Sequence, residues 1–421
     1  SKYDKEVMNV DERVNICYMV YNGSFMRFFP IPDDSNNKWI SPSMNQGLLM
    51  GDDSLFVNNI LPIYYKSLQQ ALNDGDYVVP NNTLTAIKNY QLKFGSAVYP
   101  SDMKIESEVF YNEFKVFNRL SYYYAIVGLI MILLLIQQIL KERKWRNYII
   151  KFAFVLVGIG FFAHTVGLVG RWFISGHAPW SNAYESVIYI AWATILAGFI
   201  FSRKSLMTVA ATAILSSLLL MVAALNWLDP EITNLVPVLD SYWLIIHVAI
   251  ITASYGFLAL GALLGFLNLI LIVIKSSTNK SRIAASLKEL TFINEMSITT
   301  GLFMLSVGTF LGGIWANESW GRYWGWDPKE TWALASMLIY IFVLHMRFIP
   351  KIKGIFAFNL ASIIAYSSII MTYFGVNFYL SGLHSYAKGD PMPIPSFVYY
   401  SIVIVTLVAV LAKWRQKQLR N

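Results

Sequence analysis

The stretch WANESWGRYWGWDPKETW, residues 315–332, sets five tryptophans around Gly321 and Gly325. Glycines between aromatic residues let a flat ligand approach the backbone and lie across ring faces. Indoles also anchor proteins at membrane–water interfaces, and these residues taken by themselves leave both readings open. Asp327 reads as a helix N-cap, with Pro328 at the first helical position and Glu330 closing a capping box. That accounts for the polar end of the stretch but not for Trp315, Trp320, Trp324 and Trp326. Two histidines bear on the choice. His247 follows LDSYWLII about one turn into an apolar run, and His384 lies in YLSGLHSYAKGD where another run ends. A single such histidine is more often a hydrogen-bonded interface residue. Two neutral imidazoles on the same side as an aromatic platform have the chemistry to grip a haem iron from opposite faces, with the indoles around the macrocycle.

The elements that must position these residues are apolar helices. The chain has 421 residues, 56% hydrophobic and 14% charged, with a mean hydropathy of +0.48. Such values exclude an ordinary soluble enzyme and read as an all-α polytopic membrane protein. About nine runs have the length a hydrocarbon core of about 30 Å demands. They lie near 119–140, 148–173, 185–202, 205–226, 243–274, 297–314, 330–348, 355–379 and 395–412. Cations sort to alternate loops. One set holds Lys141 to Arg146, Arg203 with Lys204, Lys275 to Lys288, Arg347 to Lys353, and Lys413 to Arg420; the other holds little beyond Arg171, Arg322, Lys329 and Lys388. By the positive-inside rule the richer set is cytoplasmic, which puts residues 1–118 and the tryptophan loop outside and the C-terminus inside. The net charge of +8 thus reads as membrane orientation and not as nucleic-acid binding. Residues 1–118 form an extracytoplasmic, mostly helical segment. It has helix-like stretches at 61–72, 82–94 and 104–120 and a hairpin signal at Asn22-Gly23. A linking transmembrane helix follows at 119–144, then a multi-span domain at 145–421. The chain opens on SKYDKEVMNV with no signal peptide, so an exported first segment implies an upstream span or a processed end. The single cysteine, Cys17, allows no internal disulfide and no Cys-x-x-Cys pair.

The remaining candidates sort by position. His345 follows Asp327 by 18 positions, about 27 Å along a helix, so it belongs to the opposite leaflet from the tryptophan loop and needs another partner. A snorkelling interfacial histidine beside Arg347 is the competing reading. His164 and His177 are 13 apart across Gly176 and Pro179, fall on different faces and read as structural, His177 with a place beside the outer cavity. Arg171 and Arg322, rare cations of the outer side, suit carboxylates such as haem propionates, or serve as anchors.

The motif WANESWGRYWGWDPKETWAL resembles the signature of the WWD family of haem-handling membrane proteins. With RWFISGHAPWSNAYES, LHMRF and GLHSYA in the same order, the chain more specifically resembles the System II cytochrome c synthase. It matches the WWD-bearing second half of the fused two-half bacterial type, from about 145 to the end. The resemblance implies haem export across the bacterial inner membrane and attachment of reduced haem b to Cys-x-x-Cys-His of apocytochrome c on the periplasmic side. It implies His247 and His384 as axial ligands, Trp315, Trp320, Trp324, Trp326 and Asp327 as the haem-binding face, and His345 as a ligand of a transmembrane haem. The expected partner of His345, from the family's first half, has no counterpart here, so a second chain or an upstream segment would supply it.

Thioether formation adds two thiols across haem vinyl groups and needs no nucleophile on the protein, which agrees with the lone Cys17. The protein's contribution would be positioning and electronics. A haem-bearing quinol electron-transfer subunit would carry histidine pairs at same-face spacing on two spans, and the sequence has none. The motif is also compatible with a System I type WWD haem chaperone or lyase, and with a pure haem exporter that forms no thioether.

Overall fold

The structure is a computed structural model that describes residues 2–225, 228–235, 240–380 and 394–418. The chain divides into two compact units, residues 1–105 and 106–421. In the first unit, helix α1 (Lys2–Tyr21) precedes a two-stranded antiparallel pair, β1 (Phe29–Pro30) with β2 (Trp39–Ile40), and helices α2 (Gly51–Asp74) and α3 (Val78–Gly95) follow. Phe29, Ile40, Val57 and Tyr90 meet in its small core, with Tyr90 stacked on Phe56 at 5.0 Å. Asn22-Gly23 is not a hairpin. Gly23 takes a left-handed backbone at φ 70 and the Asn22 side chain accepts from Ser24 N at 3.0 Å, so the pair ends a helix.

The second unit is a helix bundle. Its helices are α5 (Val116–Leu140), α6 (Lys144–Ser175), α7 (Ala183–Phe201), α8 (Met207–Ala223), α9 (Tyr242–Ile274), α10 (Lys280–Trp320), α11 (Pro328–His345), α12 (Ile355–Ile370), the short α13 (Val376–Tyr379) and α14 (Ser396–Gln418). Helix α4 (Asp102–Phe114) leads into α5 through Lys115, whose left-handed backbone at φ 48 divides the expected 104–120 helix. Among the described residues eight helical stretches are long and apolar enough to cross a membrane, and α8 is a shorter apolar helix. These match the nine runs read from the sequence, and the chain is an all-α, multi-pass membrane protein.

Helices α9 and α10 pack antiparallel through small residues, which bring backbones close where apolar burial alone cannot drive helix association. A Cβ on Gly301 would meet Leu258 at 2.8 Å and one on Gly308 would meet Ile251 at 3.0 Å. Polar groups fasten the same helices to α12. Asn359 Oδ1 accepts from Asn268 at 2.8 Å and from Asn294 at 3.0 Å, all three residues being fully buried. Between α12 and α13 the chain makes a π-helical turn at Met371–Gly375, the kind of irregularity that re-aims side chains at functional sites.

Candidate ligand cavity

A cavity of about 630 Å³ opens in the second unit, within the range typical of cofactor pockets. Its walls come from the loop before α7 with the first turn of that helix, residues 228–235, the first turns of α9, the end of α10, the tryptophan loop, the start of α11, and the π turn with α13. Sequence-distant segments therefore meet here because the bundle brings their ends together.

His247 lines this cavity from α9. Gly301, Gly308 and Gly312 are spaced seven and four along α10 and so share one face, and Gly312 comes opposite His247. A Cβ on Gly312 would lie 2.6 Å from His247 Cε1 and 2.7 Å from Nδ1, so the imidazole rests against bare backbone. Its Nδ1 donates to Gly308 O at 2.6 Å. A carbonyl can only accept, so the proton is on Nδ1 and the lone pair on Nε2, the tautomer a metal ligand requires.

The tryptophans divide into layers. Trp315 and Trp324 line the cavity. Trp315 is fully buried and Trp320 backs it edge-on at 4.8 Å. Trp326 meets Trp324 edge-on at 5.8 Å but is itself 70% exposed and has a left-handed backbone at φ 55. Two glycines of the loop do local work. Gly321 ends α10 at φ 70, and Gly325 leaves room for the Arg322 guanidinium, which would collide with any Cβ there. Arg322 also lies 5.9 Å over the Trp320 ring. Neither glycine lines the cavity, nor does Arg322.

The loop is fixed to α11 as the sequence expects. Asp327 Oδ1 accepts from Lys329 N at 3.0 Å, and Glu330 Oε2 accepts from Asp327 N at 3.2 Å and Gly325 N at 2.8 Å. Asn caps as well as Asp, whereas Ala does not. Asp327→Asn is therefore expected to leave thermal stability in detergent unchanged, and Asp327→Ala to lower it by about 1 kcal/mol. Equal losses in both would show that the carboxylate charge, not the cap, matters.

Arg171 is placed elsewhere. It is fully buried, pairs with the equally buried Glu185 through Nε–Oε1 at 2.7 Å, and donates to Pro230 O at 2.9 Å and Glu231 O at 3.0 Å. His177 Nε2 meets Thr233 O at 3.1 Å, and Trp180 donates to Ile245 O at 3.1 Å. Asn182 caps α7 by accepting from Glu185 N at 2.7 Å. Within RWFISGHAPWSNAYES, Arg171 and His177 thus hold residues 228–235 as a strap beside the cavity, Trp180 ties the loop to α9, and His177 does line the cavity. His164 is buried away from the cavity, with Nε2 at 3.1 Å from Ile188 O. His345 is exposed at the far end of α11, and its Nδ1 donates to Ile341 O at 2.7 Å. His384 lies outside the described residues. Sequence reasoning missed Gly312 and the pairing of Lys329 with Asn377 across the cavity wall at 3.0 Å.

The cavity is lined by two imidazoles, His177 and His247, by three indoles, Trp180, Trp315 and Trp324, and by charged side chains of both signs, Lys329 with Asp229, Glu231 and Glu330.

Comparison with known proteins agrees on the class. Residues 180–384 match the Cytochrome C assembly protein family. Protein NrfI of Wolinella succinogenes is 42% identical over 392 residues, covering 93% of this chain and 43% of that protein, so the chain spans less than half of it. The cytochrome c biogenesis protein CcsA of Prochlorococcus marinus is 34% identical over 270 residues, which is 58% of this chain and 86% of that protein. CcsA of a Synechococcus strain is 35% identical over 260 residues, 55% of this chain and 85% of its own length. With nearly the whole of CcsA matched and the family's region spanning the cavity walls, the chain belongs to the cytochrome c assembly protein family.

Proposed function

We propose that the chain is the second half of a System II cytochrome c synthase. It would take haem b across the bacterial inner membrane and join it covalently to Cys-x-x-Cys-His of an apocytochrome c at the periplasmic face. The observation that carries this reading is the His247 imidazole, seated on Gly312 in the metal-binding tautomer beside Trp315 and Trp324. His247 and His384 would hold the iron from opposite faces. Trp315 and Trp324 would bound the macrocycle, with Trp320 and Trp326 backing them and Asp327 fixing the loop. Bound haem supplies reduced iron and two vinyl groups. Each cysteine S–H adds across one vinyl C=C bond, the sulfur to one carbon and the hydrogen to the other, so nothing leaves and no protein nucleophile is required. The chain's residues orient the vinyl edge toward the incoming peptide. That peptide's histidine would then displace His247 or His384, which prepares release.

His345, exposed and some 27 Å along α11 from the tryptophan loop, would serve an inner haem site. Its partner ligand would come from the synthase's first half, as a second chain or an upstream segment. The positive-inside distribution supports residues 1–118 and the tryptophan loop on the periplasmic side. Co-expression with the first half and a Cys-x-x-Cys-His apocytochrome, in a host lacking its own machinery, tests the reading. Haem that stays on the apocytochrome through a denaturing gel is expected. Haem in the membrane protein with none on the apocytochrome would reduce the role to an exporter or chaperone.

A further inference from the structure

One indole of the cavity, Trp180, comes from outside the tryptophan loop and has no task in the haem reading. It stands in the loop before α7, and its Nε1 donates to Ile245 O at 3.1 Å. Ile245 ends the first turn of α9, two residues before His247. Helix α9 is itself held between two neighbours. A Cβ on Gly256 would meet Thr194 N of α7 at 2.9 Å, whereas Ile251 and His247 pack on Gly308 and Gly312 of α10. His247 and Gly256 are nine positions apart, about two and a half turns, so α7 and α10 take opposite faces of α9. Indoles therefore reach the cavity on both sides of the helix that carries His247, Trp315 and Trp324 with α10 and Trp180 with α7. Trp180 is also braced from behind. Its ring lies 4.8 Å from that of Tyr189, Tyr189 stacks on Trp192 at 5.6 Å, and Trp192 stacks on Phe161 at 5.5 Å. Trp192 Nε1 donates to Thr165 Oγ1 at 2.8 Å, which fixes the row to α6. With its polar edge on a carbonyl and this row behind it, the indole is already held still, so a ligand that packs on it pays little ordering entropy. An apolar ring contact calls on none of the charged side chains that share the cavity, Lys329, Glu330, Asp229 and Glu231.

We propose that Trp180 is a third haem-contacting indole, packing on the porphyrin from the α7 side while Trp315 and Trp324 bound it from the α10 side. The inference rests on the reading of this cavity as a haem site and deepens it. Two axial imidazoles fix the iron but leave the macrocycle to rock and turn about the axis through it. Indoles arriving from both sides of α9 limit that motion, so the vinyl edge keeps one setting toward the incoming thiols. Because Trp180 also holds Ile245 O, the same residue ties this wall to the turn just before His247.

The test is a titration of ferric haem into the haem-depleted, full-length protein in detergent, labelled with 5-fluorotryptophan and read by fluorine NMR and absorption. The Trp180 resonance is the one missing from Trp180→Phe, and that of Trp324 is the one missing from Trp324→Phe. Unpaired electrons and the porphyrin ring current act only on nearby nuclei, so both resonances are expected to shift or broaden together as haem binds. A Trp324 resonance that moves while that of Trp180 stays overturns the third contact and leaves the haem site standing. If neither moves, the haem reading of the cavity fails and takes the contact with it. In the absorption arm, Trp180→Leu is expected to weaken haem binding roughly 3- to 10-fold, the scale of one aromatic contact. Trp180→Phe, which keeps a ring but not the hydrogen bond, should recover most of that loss. Equal losses in the two variants would assign the effect to the bond with Ile245 O and overturn the ring contact. Should Trp180→Leu fail to fold, the fluorine arm on the wild type decides the matter.

Discussion

Replacing Gly312 by alanine is expected to lower the haem retained by the purified protein by roughly 10- to 100-fold, the scale seen when the support of a metal ligand is disturbed. The new methyl would lie 2.6 Å from His247 Cε1 and 2.7 Å from Nδ1, closer than side-chain carbons approach such atoms. The ring is a flat, stiff group hydrogen-bonded to Gly308 O at 2.6 Å, so it cannot yield by a small rotation without giving up that bond. Helix propensity works the other way, since alanine favours a helix by up to about 1 kcal/mol over glycine, so α10 itself should be no less stable. Gly170→Ala is the control, because a Cβ there would meet nothing within 4 Å. The ratio of haem to protein, read from the absorption spectrum, checks this. An unchanged ratio in Gly312→Ala would mean that the placement of His247 does not govern haem retention.

Glu185→Ala is expected to destabilise the second unit by about 3–5 kcal/mol, the loss typical when one partner of a buried ion pair is removed. Arg171 and Glu185 are 1% and 0% exposed at their side chains, so the guanidinium would be left buried without its counter-charge. Glu185 Oε2 also accepts from Ser181 N at 2.8 Å, which adds a second orphaned group. Because the two residues share one interaction, Arg171→Ala with Glu185→Ala should destabilise by clearly less than the two single changes added together. The strap at 228–235 should also become easier to cleave, since Pro230 O and Glu231 O lose stable donors when Arg171 is no longer held. Thermal unfolding and limited proteolysis in detergent measure both effects. A single variant within about 0.5 kcal/mol of wild type would show that this network does not secure the strap.

The legibility of the fold follows from the solvent. A bilayer imposes one length on every span and leaves cations to the loops, so the apolar runs mark the helices with few rival partitions. The start of α11 is equally plain, because a capping box satisfies backbone groups with side chains four positions apart or fewer. Local signals fail where the partner is distant or is backbone. Asn22-Gly23 has the composition of a hairpin turn, yet the residues before it continue a helix and Gly23 ends it. Gly312 looks like any small residue in an apolar helix; its meaning depends on the register of α10 against α9, about 65 positions away in the chain. Arg171 reads as an available cation because its acceptors include the carbonyls of Pro230 and Glu231, which no residue type advertises. Gly325 reads as room for a ligand, but Arg322 occupies that room. Lys329 and Asn377 come together only through the π turn at Met371–Gly375, an irregularity with no signature in residue types.

The most direct measurement is the absorption spectrum of the protein purified from membranes with its haem, compared with His247→Ala and His384→Ala. The expected result is a low-spin spectrum of two imidazole ligands in the wild type, lost in each variant. A bis-imidazole spectrum that survives His247→Ala would contradict the assignment of the cavity beside Gly312 as the place where haem is held.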